Sequence, residues 1–305
     1  MSGQTDDGSG SMVVQVEGLR MRYGSVDVLD DVSFHVGHGQ VVALLGPNGA
    51  GKTTTIEILE GFRRCSAGRV AVLGVDPAHG TEQWRARVGV VLQSWRDHGR
   101  WRVRELLAHL GSYYAAYSTP DVPRPWDADA LVAAVGLTDQ ANQEVRRLSG
   151  GQRRRLDVAV GAVGRPELLF LDEPTAGLDP EARREFHDLV RGLVQDHGTT
   201  VLLTTHDLAE AETLADRILV LDGGRIVADG TAADLAHRFA GDDEVRWTIG
   251  GERFVRSTPR STAFARALFA VHGEDVADLE IRRASLEDSY LALVRRAESG
   301  QRVAS

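Results

Sequence analysis

"VVALLGPNGAGKTTTIEIL", Val41 to Leu59, carries the reading of the fold. Val41–Leu45 is an uninterrupted apolar run that reads as a buried strand, and after a glycine-bearing turn Ile56, Leu59 and Phe62 fall at helical spacing. Strand, turn and helix frame "GPNGAGKT", Gly46 to Thr53, which satisfies the pattern G-x-x-x-x-G-K-[ST]. A phosphate cradle needs backbone N–H groups pointing inward, glycine reaches the positive φ values this takes, and a helix N-terminus adds favourable potential. Gly46, Pro47, Asn48, Gly49, Ala50 and Gly51 are therefore expected to wrap phosphates, with Lys52 against the β and γ groups and the Thr53 hydroxyl on Mg²⁺.

Lys52 stands out in composition as well. Of 35 basic residues it is the single lysine, all others being arginine. A compact ammonium on a flexible stem suits a closed phosphate loop better than a planar fork.

Working outward, Val13–Gly46 shows short apolar alternations broken by glycine turns, as in antiparallel strands. From Trp101 to Leu148 the pattern turns helical and alanine-rich, interrupted by the proline-marked loop "STPDVPRPWD". Leu156, Ala159, Val160 and Val163 then repeat at helical spacing. "ELLFLDEP" and "TTVLLTTHD" are apolar runs ending in polar residues, with a helical crossover between them, as parallel strands require. Their carboxyl ends are the edge where an open α/β sheet binds ligands. Asp222-Gly223-Gly224 reads as a hairpin turn, and a further hairpin and helix follow Phe239. The expected organisation is a tail over 1–12, an α/β cassette over 13–238 with a helical insert at about 95–160, a small α+β unit over 240–296 and a tail over 297–305.

Composition bounds the function. With 42% hydrophobic and 26% charged residues the chain reads as an ordinary globular protein. No apolar run approaches a membrane span and "MSGQTDDGSGSM" lacks the regions of a signal peptide, so a cytoplasmic place is expected. The net charge of -9 argues against a nucleic-acid surface, and Arg153, Arg154 and Arg155 read as a solvated helix face. A lone Cys65 excludes an internal disulfide and a cysteine-based metal site.

Asp172 and Glu173 close the strand "LLFLD". Adjacent strand residues point in different directions, so Asp172 is expected on the metal side and Glu173 as general base for an attacking water. In "LSGGQ", Ser149 and Gln152 have capping-box spacing. Two consecutive glycines weaken a first helical turn and suggest close approach to an anion.

Taken together, "GPNGAGKT", "LSGGQ", "LLFLDEP", "AGLD" and "TTH", in this order, resemble the ATP-binding cassette of ABC transporters over about residues 13–235. The resemblance implies a P-loop NTPase cassette with a mostly parallel core sheet, an antiparallel β subdomain and a helical insert. It implies two cassettes paired head to tail, with Ser149, Gly150, Gly151 and Gln152 of one copy closing over the ATP of the other. By the same resemblance Tyr23 stacks on adenine, Thr54 adds a phosphate contact and Gln93 contacts Mg²⁺ and water. His206 then fixes the catalytic geometry at the γ-phosphate, and Asp179 communicates across the dimer.

"GGRIVADGTAADL" and "ASLEDSYLALV" are similar to ATPase subunits of bacterial drug exporters of the daunorubicin-resistance kind. This implies a separate membrane permease as partner and a place at the cytoplasmic face of the membrane. The segment "SWRDHGRWRVREL", where such an ATPase meets its permease, is more basic and aromatic than relatives commonly carry. A soluble cassette protein acting on ribosomes or nucleic acid is the rival reading. Such proteins typically carry two cassettes or a long coiled-coil insertion, and this chain has neither.

Overall fold

The computed structural model describes residues 12–91, 98–239 and 243–282. The expected tails at 1–12 and 297–305 lie outside these residues, save Met12, and so does Gln93. Contacts divide the chain into two compact units, Met1–Val227 and Ala228–Ser305. The sequence reading sets its boundary near 239 instead; the outermost strand of the large sheet, which carries the division, is paired on one side only.

In the first unit, β1 (Met12–Tyr23) and β2 (Val26–Gly37) form an antiparallel ribbon that continues into β3 (Val41–Leu45), a wholly buried strand. The phosphate-loop stretch leads into α1 (Lys52–Leu59), and β4 (Ala67–Val72) pairs antiparallel with β1. Phe62, grouped with Ile56 and Leu59 by spacing, lies past the helix and is 75% exposed. The helix stops because Gly61 takes φ 79° and the Phe62 N–H turns back to the Glu57 carbonyl.

The short α2 (Glu82–Arg85) precedes β5 (Val88–Val91), and a helical region follows with α3 (Val103–Ser112), α4 (Ala128–Ala134) and α5 (Gly150–Ala162). Then β6 (Leu168–Asp172), α6 (Pro180–His197), β7 (Thr200–Thr205) and α7 (Leu208–Leu214) lead to the hairpin strands β8 (Arg217–Asp222) and β9 (Arg225–Gly230). The six-stranded sheet has the order β5-β6-β7-β3-β8-β9, in which β5, β6, β7, β3 and β8 run parallel to one another. Phe170 in β6 and the Val201–Leu203 stretch of β7 are fully buried, as strands covered on both faces must be. The fold is α/β, with the expected parallel core and antiparallel sheet.

In the second unit α8 (Ala232–Phe239) precedes the hairpin of β10 (Asp243–Ile249) and β11 (Glu252–Thr258). Next comes α9 (Ser261–His272), and then β12 (Val276–Arg282) pairs antiparallel with β10. Trp247 stacks on Phe254, with ring centroids 5.7 Å apart, and packs against Phe264 of α9. Among the described residues no helix is long and apolar enough to cross a membrane.

Candidate functional site

β3 delivers the chain to Gly46, whose N–H donates to the Thr205 carbonyl at 3.2 Å. A side chain is impossible there, since a Cβ would sit 2.2 Å from the Leu221 carbonyl oxygen. Gly51, at φ 105°, is the N-cap of α1, and no side chain caps that helix end, so its first N–H groups face the loop uncapped. Lys52 folds back into the loop, donating to the carbonyls of Gly46 (2.8 Å) and Pro47 (3.2 Å) while its side chain is buried. Asn48, Gly49 and Thr53 are exposed, Pro47 and Thr54 half-buried, and Ala50 is buried in the turn.

Beside this loop lie the carboxyl ends of β6 and β7. The Thr204 hydroxyl donates to Asp172 Oδ1 at 2.5 Å, and the Glu173 N–H donates to Thr204 Oγ1 at 3.0 Å. Glu173 itself adopts φ 43°, a left-handed conformation uncommon outside glycine. This turn aims its carboxylate at the loop: Oε1 stands 3.5 Å from Lys52 Nζ and 3.3 Å from His206 Nδ1. Three expected residues, distant in sequence, thus meet at one oxygen. A carboxylate held between an ammonium and an imidazole beside an anion cradle can orient a water and take its proton. Nearby, burial, the Asp172 charge and the Glu57 charge push the Glu60 carboxyl up from 4.5 to about 8. Hard oxygen donors in such negative surroundings are the chemistry that Mg²⁺ prefers.

The "LSGGQ" residues open α5. Ser149 is its N-cap in a full capping box: the Gln152 N–H donates to Ser149 Oγ (3.3 Å) and the Ser149 N–H to Gln152 Oε1 (3.0 Å). The two glycines differ. A Cβ on Gly150 would meet nothing within 4 Å, whereas on Gly151 it would lie 3.0 Å from Ala182 Cβ in the first turn of α6. Asp179 is the N-cap of α6, its Oδ1 accepting from the N–H groups of Glu181 and Ala182. Among the described residues no hydrogen bond joins Ser149–Gln152 to the Gly46–Thr53 loop of the same chain. Tyr23 ends β1, is 40% exposed, and has the Arg63 guanidinium 5.2 Å over its ring.

The arginine run is where the sequence reading needs correction. Arg154 is only 7% exposed: its Nε donates to the Pro174 carbonyl at 2.6 Å and its Nη2 to the Asp172 carbonyl at 3.3 Å. Arg153 ion-pairs with Asp157 at 3.1 Å, and the Arg155 side chain is 19% exposed beside Glu185. These are partners within the fold, which three identical letters in a row do not disclose. The sequence reading also misses Glu210 on α7, which is 2% exposed and accepts from the Thr175 hydroxyl at 2.7 Å. Burial raises its carboxyl above the ordinary range. Its D-x-x-E spacing from the α7 N-cap, Asp207, is the only signal, and that signal reads as a helix start.

The ABC transporter family model matches residues 29–176. The chain is 44% identical to the daunorubicin resistance ATP-binding protein DrrA3 of Streptomyces coeruleorubidus, over 92% of this chain and 95% of that one. It is 37% identical to the Nod factor export ATP-binding protein I of Cupriavidus pinatubonensis, over 93% and 91% respectively. The doxorubicin resistance ATP-binding protein DrrA of Mycobacterium tuberculosis is 40% identical, over 86% of this chain and 75% of its own. Among solved structures, an ATP-binding subunit of an ABC transporter superposes with a TM-score of 0.62 at 27% identity, covering 74% of this chain and 93% of that one. An ATP-binding cassette solved in its ADP conformation shares the fold, with a TM-score of 0.64 at 24% identity over 73% of this chain and 92% of its own.

Proposed function

Because this chain belongs to the ABC transporter family of ATP-binding, ATP-hydrolysing cassettes, we propose that it powers an exporter through a separate membrane permease at the cytoplasmic face. The names of its relatives, which concern daunorubicin, doxorubicin and Nod factor, support a drug-like or hydrophobic cargo. On the sequence reading the cassette is assigned to 13–238, with its helical insert at about 95–160, and an accessory domain to 240–296; the contacts place the division at Val227/Ala228.

The observation that carries this reading is the single oxygen, Glu173 Oε1, within 3.5 Å of Lys52 and 3.3 Å of His206. In the proposed reaction the Gly46–Gly51 backbone and Thr54 hold the phosphates, Tyr23 stacks on adenine and Lys52 turns to the β and γ phosphates. The Thr53 hydroxyl, Gln93 and the Asp172 carboxylate would hold Mg²⁺, which supplies charge neutralisation when bound. Glu173, steadied by His206, orients water and takes its proton as the water oxygen attacks the γ-phosphorus. The bond to the β–γ bridging oxygen breaks, ADP leaves, and catalysis is positioning and charge stabilisation.

Each nucleotide is closed over by Ser149, Gly150, Gly151 and Gln152 of a second copy, and Asp179 lies at that junction. Among the described residues no hydrogen bond joins those residues to the phosphate loop of the same chain, while Gly150 offers open backbone, which supports contact in trans. The test is the solution mass of Glu173→Gln protein by light scattering, with and without Mg-ATP. A shift from one copy to two, abolished by Ser149→Arg, is expected; ATP binding without any shift would overturn the paired arrangement. Sedimentation with membranes only when a permease is co-expressed checks the partner.

A further inference from the structure

Arg154 joins two parts of the site that the reaction uses separately. It lies on α5, whose N-cap is Ser149, and grips the carbonyls of Asp172 and Pro174, the residues flanking Glu173. Glu173 is held in its left-handed backbone conformation from two sides. On β7, Thr204 receives its N–H through both the carbonyl (3.2 Å) and the hydroxyl (3.0 Å), and Arg154 holds the carbonyls before and after it. Strained backbone of this kind persists only where its surroundings over-determine it. Asp157, 3.9 Å from Arg154 Nη1, faces the guanidinium with its charge and also pairs with Arg153. The helical bond from the Arg153 N–H to the Ser149 carbonyl, 2.8 Å, closes the first turn of α5, and Arg154 follows as the next residue of the same helix.

We propose that Arg154 is a positioning residue that couples the "LSGGQ" turn to the catalytic carboxylate of the same chain. The proposal rests on the paired-cassette reading. Anchoring of Ser149 and Gly150 by the neighbour's ATP fixes the start of α5, and Arg154 transmits that placement to the Asp172–Pro174 backbone. Each chain's Glu173 is then set for its own nucleotide by the nucleotide of its neighbour, so the two sites fire together. A planar fork with fixed donors suits two carbonyls on either side of one residue, whereas the point charge of lysine does not hold both in place.

The test uses the full-length chain carrying Arg154→Lys, which keeps the buried charge, with Arg154→Gln as the second variant. Steady-state hydrolysis is measured against Mg-ATP, alongside equilibrium ATP binding and melting temperature. Wild type is expected to respond sigmoidally to ATP. Arg154→Lys is expected to lose on the order of 10- to 100-fold in kcat, the scale of a small misplacement of a reacting group, with ATP affinity unchanged and the response hyperbolic. Wild-type kcat and sigmoidicity in Arg154→Lys would overturn the proposal, and so would parallel losses of kcat, ATP affinity and melting temperature in both variants, which mark a merely structural role. Pairing of Glu173→Gln protein is measured first. Failure to pair would overturn the paired-cassette reading and the coupling with it, whereas normal pairing with an unaffected Arg154→Lys would overturn the coupling alone.

Discussion

His206 Nδ1 lies 3.3 Å from Glu173 Oε1 although 32 residues of sequence, from 174 to 205, separate them. Both follow parallel strands that are direct neighbours, β6 and β7, and the register Asp172↔Thr204 sets their strand ends side by side. The contact is thus a product of sheet order. Replacing His206 by Ala should leave ATP binding intact while lowering kcat by roughly 10²–10⁴-fold, the range for a residue supporting general-base chemistry. Equal losses in ATP affinity and turnover would instead place His206 in nucleotide binding.

The two glycine sites should separate folding from pairing. Gly46→Ala forces a Cβ to 2.2 Å from a backbone oxygen and is expected to destabilise the loop and abolish ATP binding. Gly150→Ala meets nothing within 4 Å and should raise or preserve the melting temperature while weakening ATP-driven pairing. Light scattering on the Glu173→Gln background reads the second effect.

Lys52 provides a chemical test. It is the only side-chain amine in the sequence, so an amine-reactive ATP analogue should label this position and, besides the N-terminus, no other. ATP should protect it. Labelling confined to the N-terminus would remove Lys52 from the phosphates.

The Glu60 carboxyl predicts a pH dependence with a definite sign. Its value in the fold is about 8 against an ordinary 4.5, so the folded state binds the extra proton between these limits. Its contribution to stability is fully present below about pH 4.5 and is lost as pH rises through about 8. Glu60→Gln should therefore match wild type at low pH and exceed it above pH 8, by a few kcal/mol at most, at about 1.4 kcal/mol per unit of displacement. Urea midpoints across that range decide it; a constant difference at every pH would assign the effect to packing.

Phe170 is fully buried on β6, between β5 and β7 of the parallel sheet. Phe170→Ala should cost about 3–5 kcal/mol through lost transfer energy and an unfilled cavity. Denaturant unfolding in the presence and absence of ATP reads the loss.

The sequence by itself determined the strand–loop–helix core, because hydrophobic period and glycine placement are local properties of the chain. Val41–Leu45, the turn to Gly51 and α1 follow from adjacent letters, and the carboxylates at the end of β6 announce a ligand edge. Only the tertiary structure decided that Glu173 turns to φ 43° and points at Lys52 and His206, since that direction depends on Thr204 and Arg154 from other elements. It also decided that Arg154 and Glu210 are buried, because a charged letter carries no mark of whether the fold supplies carbonyls and hydroxyls to receive it. Local periodicity is written along one segment, whereas the partner of a polar side chain is set by which strands become neighbours, and that follows from packing of the whole chain.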